Sequence, residues 1–468
     1  MLDAIASSAD LEAAAARASA AIDDEVSAEL LDEMLDVFDE LGLIESREPE
    51  SREPESIRAR QRDARRRHFA SLRDEALRAM LERLLELPHY AELLPRPLPE
   101  ELAALPILDK PTLRARFDQL LPEQLPDDVH WLSTSGTSGE RQQVARSPAD
   151  WAASQAATWA LNPTIARSLE GRFCRLTTPY CNGMECHVAH ASMAERTRGR
   201  RLALASSLDI ASWPDARVEQ TLHEIREYAP EYLLVDPTYL AIVVDRARGL
   251  GLGFPKLRFV LTSFELSSEL HRRAIADAFE CPVFDAYGAT EHGAIVVQCE
   301  RGVYHVNPES VILEVDSPDS RGAGQLLVTT PSKTLMPLLR YATGDLAIAG
   351  DSICACPWSE TDSLRSLEGR AVDCLVDTQE RRVTPGAIDR AIAAELPGVV
   401  TYRLVQRGGL SYRLELLPGQ GFAVDRCNRA LAALHELLGP GVDLRISVER
   451  ELLPSASGKF RLACRSER

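Results

Sequence analysis

Between Ser133 and Glu140 the chain reads STSGTSGE, five hydroxyl residues and two glycines in eight positions. Backbone N–H groups in such a loop, together with the hydroxyls, can surround phosphate oxygens. No Gly-Lys-Ser/Thr comes after it, so this is not a P-loop, and alone the cluster reads more readily as a plain flexible loop. It gains weight from three segments downstream: DAYGATE (Asp285 to Glu291), YATGD (Tyr341 to Asp345) and PSASGKFR (Pro454 to Arg461). Each by itself is compatible with a turn, a strand end or an exposed tail. The four in fixed order at these separations are hard to ascribe to chance.

A second constellation is Cys299-x5-His305 with Cys354-x-Cys356. The Arg301-Gly302 pair between the first two residues is a natural turn, which would let both side chains face one point. Four N/S ligands suit a tetrahedral structural zinc, although this CxC spacing is tighter than CxxC. The competing reading is four buried or idle side chains. Cys181, Cys186, His187 and His190, in PYCNGMECHVAH, look like another metal set.

Together the four segments resemble the core motifs of the acyl-adenylate-forming (AMP-dependent synthetase/ligase) superfamily. The resemblance spans roughly residues 75 to 465. Its DxYG form and the segment HYAELL…LPILDKPTLRARF are most similar to the phenylacetate-CoA ligase branch. It implies ATP and Mg²⁺ as cofactors and a small carboxylic acid as substrate. The acid would become acyl-AMP with release of pyrophosphate, then pass to a thiol of coenzyme A or a carrier protein. Thr134, Ser135, Gly136, Thr137, Ser138 and Gly139 would hold the β- and γ-phosphates. Asp285, Tyr287 and Gly288 would flank the adenine, Thr290 would touch the α-phosphate and Glu291 would bind Mg²⁺. Asp345 would accept both ribose hydroxyls, and Arg370 would contact ribose or phosphate. Lys459 would bridge the attacking carboxylate and the α-phosphate, offsetting charge that builds in the transition state. Members of this branch often carry a cysteine cluster like the one here, which places zinc ahead for Cys299, His305, Cys354 and Cys356. The PYCNGMECHVAH stretch matches the part of the family that lines the acid pocket. Tyr180, Asn182, His187, Phe264 and Ala289 are the expected lining. A polar Asn and His beside aromatics favour a hydroxy- or amino-substituted aryl acid over a long fatty chain.

The departures matter equally. Glu140-Arg141-Gln142-Gln143 stands where the phosphate loop usually ends in Pro-Lys-Gly. Of the usual acidic pair in the hinge motif only Asp373 remains, Val372 replacing the other. No glycine occurs between it and Pro385, where the family commonly has one that lets the pantetheine arm pass. This favours, as an alternative, an adenylate former whose acceptor is an amine or another nitrogen nucleophile. A further alternative is a non-catalytic binding protein on the same fold, against which Glu291, Asp345 and Lys459 all argue.

These residues need elements to position them. Apolar spacing through Leu30, Leu31, Met34, Leu35, Phe38 and Leu41 is helical. SREPESREPES then reads as a linker, and Ile57–Leu87 as helical again. The runs FCRLTTPY, YLLVDP and LRFVLTSF, each followed by helical periodicity, predict an α/β domain with largely parallel strands. GAIVVQC, SVILEVD and GQLLVTT predict a small antiparallel sheet. From about Arg370 strands and helices mix in a small α+β unit. The expected domains are a helical extension with a charged linker (1–74), a large adenylate-forming domain of α/β subdomains (75–370) and a small mobile domain (371–468).

A chain of 468 residues suits two or three such domains. Its 71 acidic against 53 basic side chains give a net charge of -18, a field that repels nucleic acid and anionic lipid. Nucleic acid and membrane are therefore not expected as partners, and no apolar run approaches the ~20 residues of a membrane span. The acidic, Ala-rich N-terminus lacks the pattern of a signal peptide, and ten cysteines are too sparse for a disulfide scaffold. A cytoplasmic location is expected. The acidic helical extension is a candidate for self-association into a homo-oligomer.

Overall fold

The structure, a computed structural model, describes residues 70–466 apart from 72, 100, 134–141, 180–190, 308–309, 351–353 and 360. The linker and nearly all of the 1–74 extension lie outside the described residues. Of the helix expected up to Leu87, residues 73–84 are helical.

The expected parallel strands are present. Phe173–Leu176 pairs in parallel with Arg201–Ala203 and Tyr232–Val235, and the series continues through Phe259–Thr262 to Val283–Ala289. All four residues of Phe259–Thr262 are buried, as expected of a strand covered on both faces. One cover consists of the helices Asp215–Tyr228, Pro237–Gly249 and Glu269–Phe279, whose Leu222, Leu240 and Ile275 join Leu176, Leu233 and Val260 in one core. The other brings Ala160, Leu161 and Ile165, which come after the helix Pro148–Trp159, onto Tyr232, Phe259 and Phe284. The rings of Phe173, Tyr232 and Phe259 stack in a row at 5.0 and 4.8 Å.

The antiparallel strands do not form the separate small sheet that their pattern suggests. They continue the parallel block into one twelve-stranded sheet among the described residues. The physical reason is the seven-residue strand Val283–Ala289, which is long enough to pair twice. Val283 to Asp285 run parallel to Phe259–Thr262, and Ala286 to Ala289 run antiparallel to Gly293–Gln298. Asp285 sits at the changeover with its carboxylate buried. The Thr262 hydroxyl donates to one oxygen at 2.5 Å, and the Tyr304 hydroxyl to the other at 2.6 Å. One donor comes from the parallel block and one from the antiparallel strand Tyr304–Val306, so a single carboxylate joins the two halves.

Beyond Arg370 a four-stranded sheet, with Val399–Gly408 and Ser411–Pro418 at its centre, packs against helices Pro385–Ile392 and Asn428–Leu438. It has its own core, including Ile388, Ile392, Leu404, Leu414 and Leu434, against which Leu266 and Leu270 pack. Asp389 anchors this unit at the start of helix Glu269–Phe279. Its carboxylate accepts from the Ser268 hydroxyl at 2.5 Å, the Glu269 N–H at 2.9 Å and the Tyr402 hydroxyl at 2.8 Å.

Removing one donor from the seam tests its importance. Tyr304→Phe leaves a buried Asp285 oxygen without that partner and should cost about 1.5–3 kcal/mol. A urea titration should show a lower midpoint at an unchanged slope; an unchanged midpoint would mean that the sheet halves are joined by other contacts.

Candidate active site

The seam strand ends in a tight hairpin whose turn is Thr290, Glu291 and His292, leading into Gly293–Gln298. The turn closes through His292 N–H to Ala289 O at 3.1 Å. Gly288 is required by close approach, since a Cβ there would lie 2.4 Å from the Gly293 carbonyl oxygen. The DAYGATE residues are therefore held on a backbone crossing with no room for side chains at its centre.

Strands Tyr341–Ala349 and Ser363–Arg370 pair so that Asp345 faces Arg370 directly. The Arg370 Nε lies 3.7 Å from Asp345 Oδ1, and the Tyr287 hydroxyl donates to Oδ2 at 2.7 Å. Burial, and then the Asp345 charge, push the Tyr287 phenol well above its ordinary range, so it remains a donor. Tyr287, Asp345 and Arg370 thus form one cluster. Asp285 differs, because both of its carboxylate oxygens are already bonded to hydroxyls at the seam.

Glu291 is buried, and Oε1 accepts from the Tyr341 hydroxyl at 3.1 Å. The buried Lys333 donates to the Glu291 carbonyl at 2.7 Å, and burial pulls its ammonium down to about 8. His292 is buried with neither ring nitrogen hydrogen-bonded among the described residues. Burial, reinforced by Lys333 and Lys110, holds it neutral. Lys110 opens helix Lys110–Ala115, and the segment before that helix docks by the Ala342 N–H to Leu108 O at 2.9 Å. Spacing in the sequence assigns no role to Lys333, His292 or Lys110. His292 alone had a local signal, as a titratable group next to Glu291.

The PSASGKF loop reaches the carboxyl ends of the parallel strands. Tyr239 donates to Gly458 O at 3.0 Å, Thr178 to Ser457 O at 3.3 Å, and the Phe460 N–H to Glu265 Oε2 at 2.8 Å. Lys459 itself is half-buried. Phe264, between Ser263 and Glu265, adopts φ +77°, a left-handed conformation strained for an aromatic residue, and its ring lies 5.0 Å from the Arg175 guanidinium. Ala289 closes the seam strand. The expected phosphate-loop residues Thr134 to Gly139 lie outside the described residues, as do Tyr180, Asn182 and His187. The hairpin His130–Ser133 with Gln143–Arg146, which carries that loop, is described.

In the hinge, Asp373 accepts from Arg461 Nε at 2.6 Å. The glycine-free stretch after it folds as a hairpin, Leu375–Val376 against Arg382–Val383. Its turn is organised by Asp377, which accepts from the backbone of Gln379 and Arg381 and from the side chains of Arg381 and Arg321. Glu380 takes φ +59° there.

Cys299, His305, Cys354 and Cys356 come together, with all four donor atoms within 4.8 Å of one another. Cys299 Sγ is 3.7 Å from Cys354 Sγ, and Cys356 Sγ is 3.2 Å from His305 Nε2. His305 Nδ1 lies 3.1 Å from the Thr361 hydroxyl, which itself donates to Trp358 O at 2.9 Å. That chain fixes Nδ1 as the protonated nitrogen and leaves the Nε2 lone pair facing the cysteine sulfurs.

No family model matches the chain. A phenylacetate-coenzyme A ligase of Thermus thermophilus is 26% identical over 327 residues, covering 66% of this chain and 69% of that one. One of Pseudomonas putida is 24% identical over 270 residues, or 53% and 57%. Among solved structures, a 2-hydroxyisobutyryl-CoA ligase in the postadenylation state, holding an acyl-AMP, superposes with a TM-score of 0.61 at 17% identity. That superposition covers 83% of this chain and 89% of that one. The fold is that of the adenylate-forming ligases, and the sequence likeness points to the same branch as the motifs.

Crowding at the hairpin can be tested directly. Gly288→Ala should cost about 1–3 kcal/mol, because the Gly293 carbonyl must move. Differential scanning calorimetry should show the lower melting temperature, and an unshifted transition would mean that the crossing yields freely.

Proposed function

We propose that this chain, phenylacetate-CoA-ligase-like in sequence and adenylate-forming in fold, uses ATP to activate a small carboxylic acid as its acyl-AMP. The observation that carries the proposal is convergence. Tyr287, Asp345 and Arg370 meet in one cluster, and the loop bearing Lys459 is seated at the carboxyl ends of the parallel strands that lead into the same seam.

In this reading the Asp345 carboxylate accepts the ribose hydroxyls, with Tyr287 and Arg370 fixing its direction. Adenine lies against Tyr287 and the bare backbone at Gly288, and Asp285 acts through the strand geometry it locks rather than by touching the base. Thr290 meets the α-phosphate. Glu291 offers hard oxygen donors that fit Mg²⁺, an ion that shields phosphate charge when bound. An oxygen of the substrate carboxylate attacks the α-phosphorus, the bond to the β-phosphate breaks, and pyrophosphate leaves in line. Lys459 lies between the two anions and offsets the charge that gathers as they react. Phe264 and Ala289 border the acid, which we take to be an aryl acid.

The adenylate then passes to a thiol of coenzyme A or a carrier protein, whose sulfur attacks the acyl carbon and releases AMP. A nitrogen acceptor is the second reading. It is favoured by the turn at Asp377, which has side chains at every position where the pantetheine path of the resembling family has a glycine. The large (75–370) and small (371–468) units would move relative to each other between the two steps.

We further propose that Cys299, His305, Cys354 and Cys356 hold one structural zinc. The donor set is soft, and the backing of His305 by Thr361 suits it. Such an ion would pin the hairpin after the seam strand to the segment preceding Ser363–Arg370.

An acid-dependent pyrophosphate-exchange screen, run with and without coenzyme A, tests the activity. Lys459→Ala should lower exchange about 10²–10³-fold at an unchanged melting temperature. Exchange at the wild-type rate in that variant would remove the main support. Adenylation with no thioester product would move the nitrogen acceptor into first place.

Metal analysis of protein prepared without chelator should find about one zinc per chain. Cys354→Ser should lower that content and the melting temperature together while changing exchange far less. Absence of zinc would leave four ordinary side chains.

A further inference from the structure

The loop that carries Lys459 is held to the large unit mainly through its main chain. Ser455 closes it internally, its N–H and hydroxyl both bonding Lys459 O at 2.9 Å. Thr178 and Tyr239 take the carbonyls of Ser457 and Gly458, and Glu265 takes the N–H of Phe460 at 2.8 Å. Gly458 has φ +78°, and a Cβ there would lie 1.8 Å from the Thr178 hydroxyl oxygen, so the loop fits its seat only without a side chain at that position. The Phe460 ring packs edge-on against Tyr239 at 5.5 Å. Apart from the Ser455 bonds to the Lys459 carbonyl, these grips fall on the residues either side of Lys459, and none of them engages its ammonium.

Glu265 is the one carboxylate among them, and it is built in from below. Oε1 accepts from the Thr238 hydroxyl and, at 3.3 Å, from the Thr238 N–H. Thr238 lies in the first turn of helix Pro237–Gly249, whose own N-cap residue, Asp236, makes no side-chain cap. Glu265 therefore supplies the missing cap from a different element, where a helix N-terminus favours negative charge. Asp236, fully buried, is a second carboxyl beside it, and burial pushes the Glu265 carboxyl up. His271 Nδ1 lies 3.5 Å from the Thr238 hydroxyl behind them. The seat is thus a fixed, partly buried acceptor whose only partner outside the large unit, among the described residues, is the backbone next to the lysine.

We propose that Glu265 is a positioning residue for adenylation: by holding the Phe460 N–H it sets the place from which Lys459 reaches the reacting phosphate. This rests on the adenylation reading above and adds a residue to it. A displacement of about 1 Å at a reacting group can cost on the order of 10²-fold. Losing the grip should therefore lower the adenylation rate while leaving ATP affinity, set by the Asp345 cluster, nearly unchanged.

Two measurements separate the outcomes. Hydrogen exchange followed at the Phe460 amide reads the seat without any substrate; it should quicken at least tenfold in Glu265→Ala and less in Glu265→Gln, which keeps an acceptor oxygen. Acid-dependent pyrophosphate exchange should fall about 10–100-fold in kcat for Glu265→Ala, with partial rescue in Glu265→Gln and an ATP KM within about twofold. Transfer from a supplied acyl-adenylate to its acceptor should stay near wild type in both variants. An unchanged Phe460 amide, or adenylation and transfer falling in step, would overturn the assignment. Wild-type protein that exchanges pyrophosphate with no acid would instead sink the adenylation reading, while the amide measurement still decides the seat.

Discussion

Everything in this molecule hangs on one strand having to satisfy two incompatible neighbours. A parallel ladder has evenly spaced, slanted hydrogen bonds, whereas an antiparallel one has bonds in alternating close and wide pairs. Val283–Ala289 changes from the first pattern to the second between Asp285 and Ala286, and its register shifts again between Tyr287 and Gly288. Such a changeover leaves backbone without full cross-strand support. The Asp285 carboxylate supplies what is missing, drawing a hydroxyl from each side, while its own N–H is taken by Gln298 Oε1 at 3.0 Å. Burial pushes the Asp285 carboxyl up, and the hydroxyl donors and Arg272 pull against it.

The same theme of anions held by neutral hydroxyls recurs around the seam. Tyr287 serves Asp345, Tyr341 serves Glu291, Tyr304 serves Asp285 and Tyr402 serves Asp389. A phenol is a directional donor that brings no charge and, once buried, does not ionise. These carboxylates can therefore be oriented without being neutralised, which suits positions proposed to meet a ribose or a metal ion. Cations also stand near them: Arg370 beside Asp345, Arg272 near Asp285, Arg390 near Asp389, and Lys333 beneath the Glu291 carbonyl.

The sequence was most informative where a structural requirement is local. Strands Phe173–Leu176, Tyr232–Val235 and Phe259–Thr262 were legible because apolar runs followed by helical periodicity admit few other arrangements. The turn between Cys299 and His305 was legible because Arg301-Gly302 is a local turn signal, and Gly302 does adopt φ +80°. Groups brought together by tertiary packing across long stretches of chain were not legible. Tyr287 and Asp345 are 58 residues apart, Glu291 and Lys333 are 42 apart, and Phe460 and Glu265 are 195 apart. No spacing rule connects them, because the packing of the strands and of the loops between them, rather than chain order, brings them together. The single continuous sheet was missed for the same reason: nothing in DAYGATE announces that its strand pairs on both sides.

The bond between Asp373 and Arg461 has a consequence for how this protein can change over generations. It ties the hinge to the residue two beyond Lys459, and the carboxylate is buried while much of the guanidinium remains in solvent. A substitution at Arg461 alone strands an acid that burial already disfavours in its charged form. A substitution at Asp373 alone leaves a cation still comfortable in water. The two positions are therefore unequal partners in drift: the hinge acid can be lost first and the arginine retained, but the reverse order passes through a less stable intermediate.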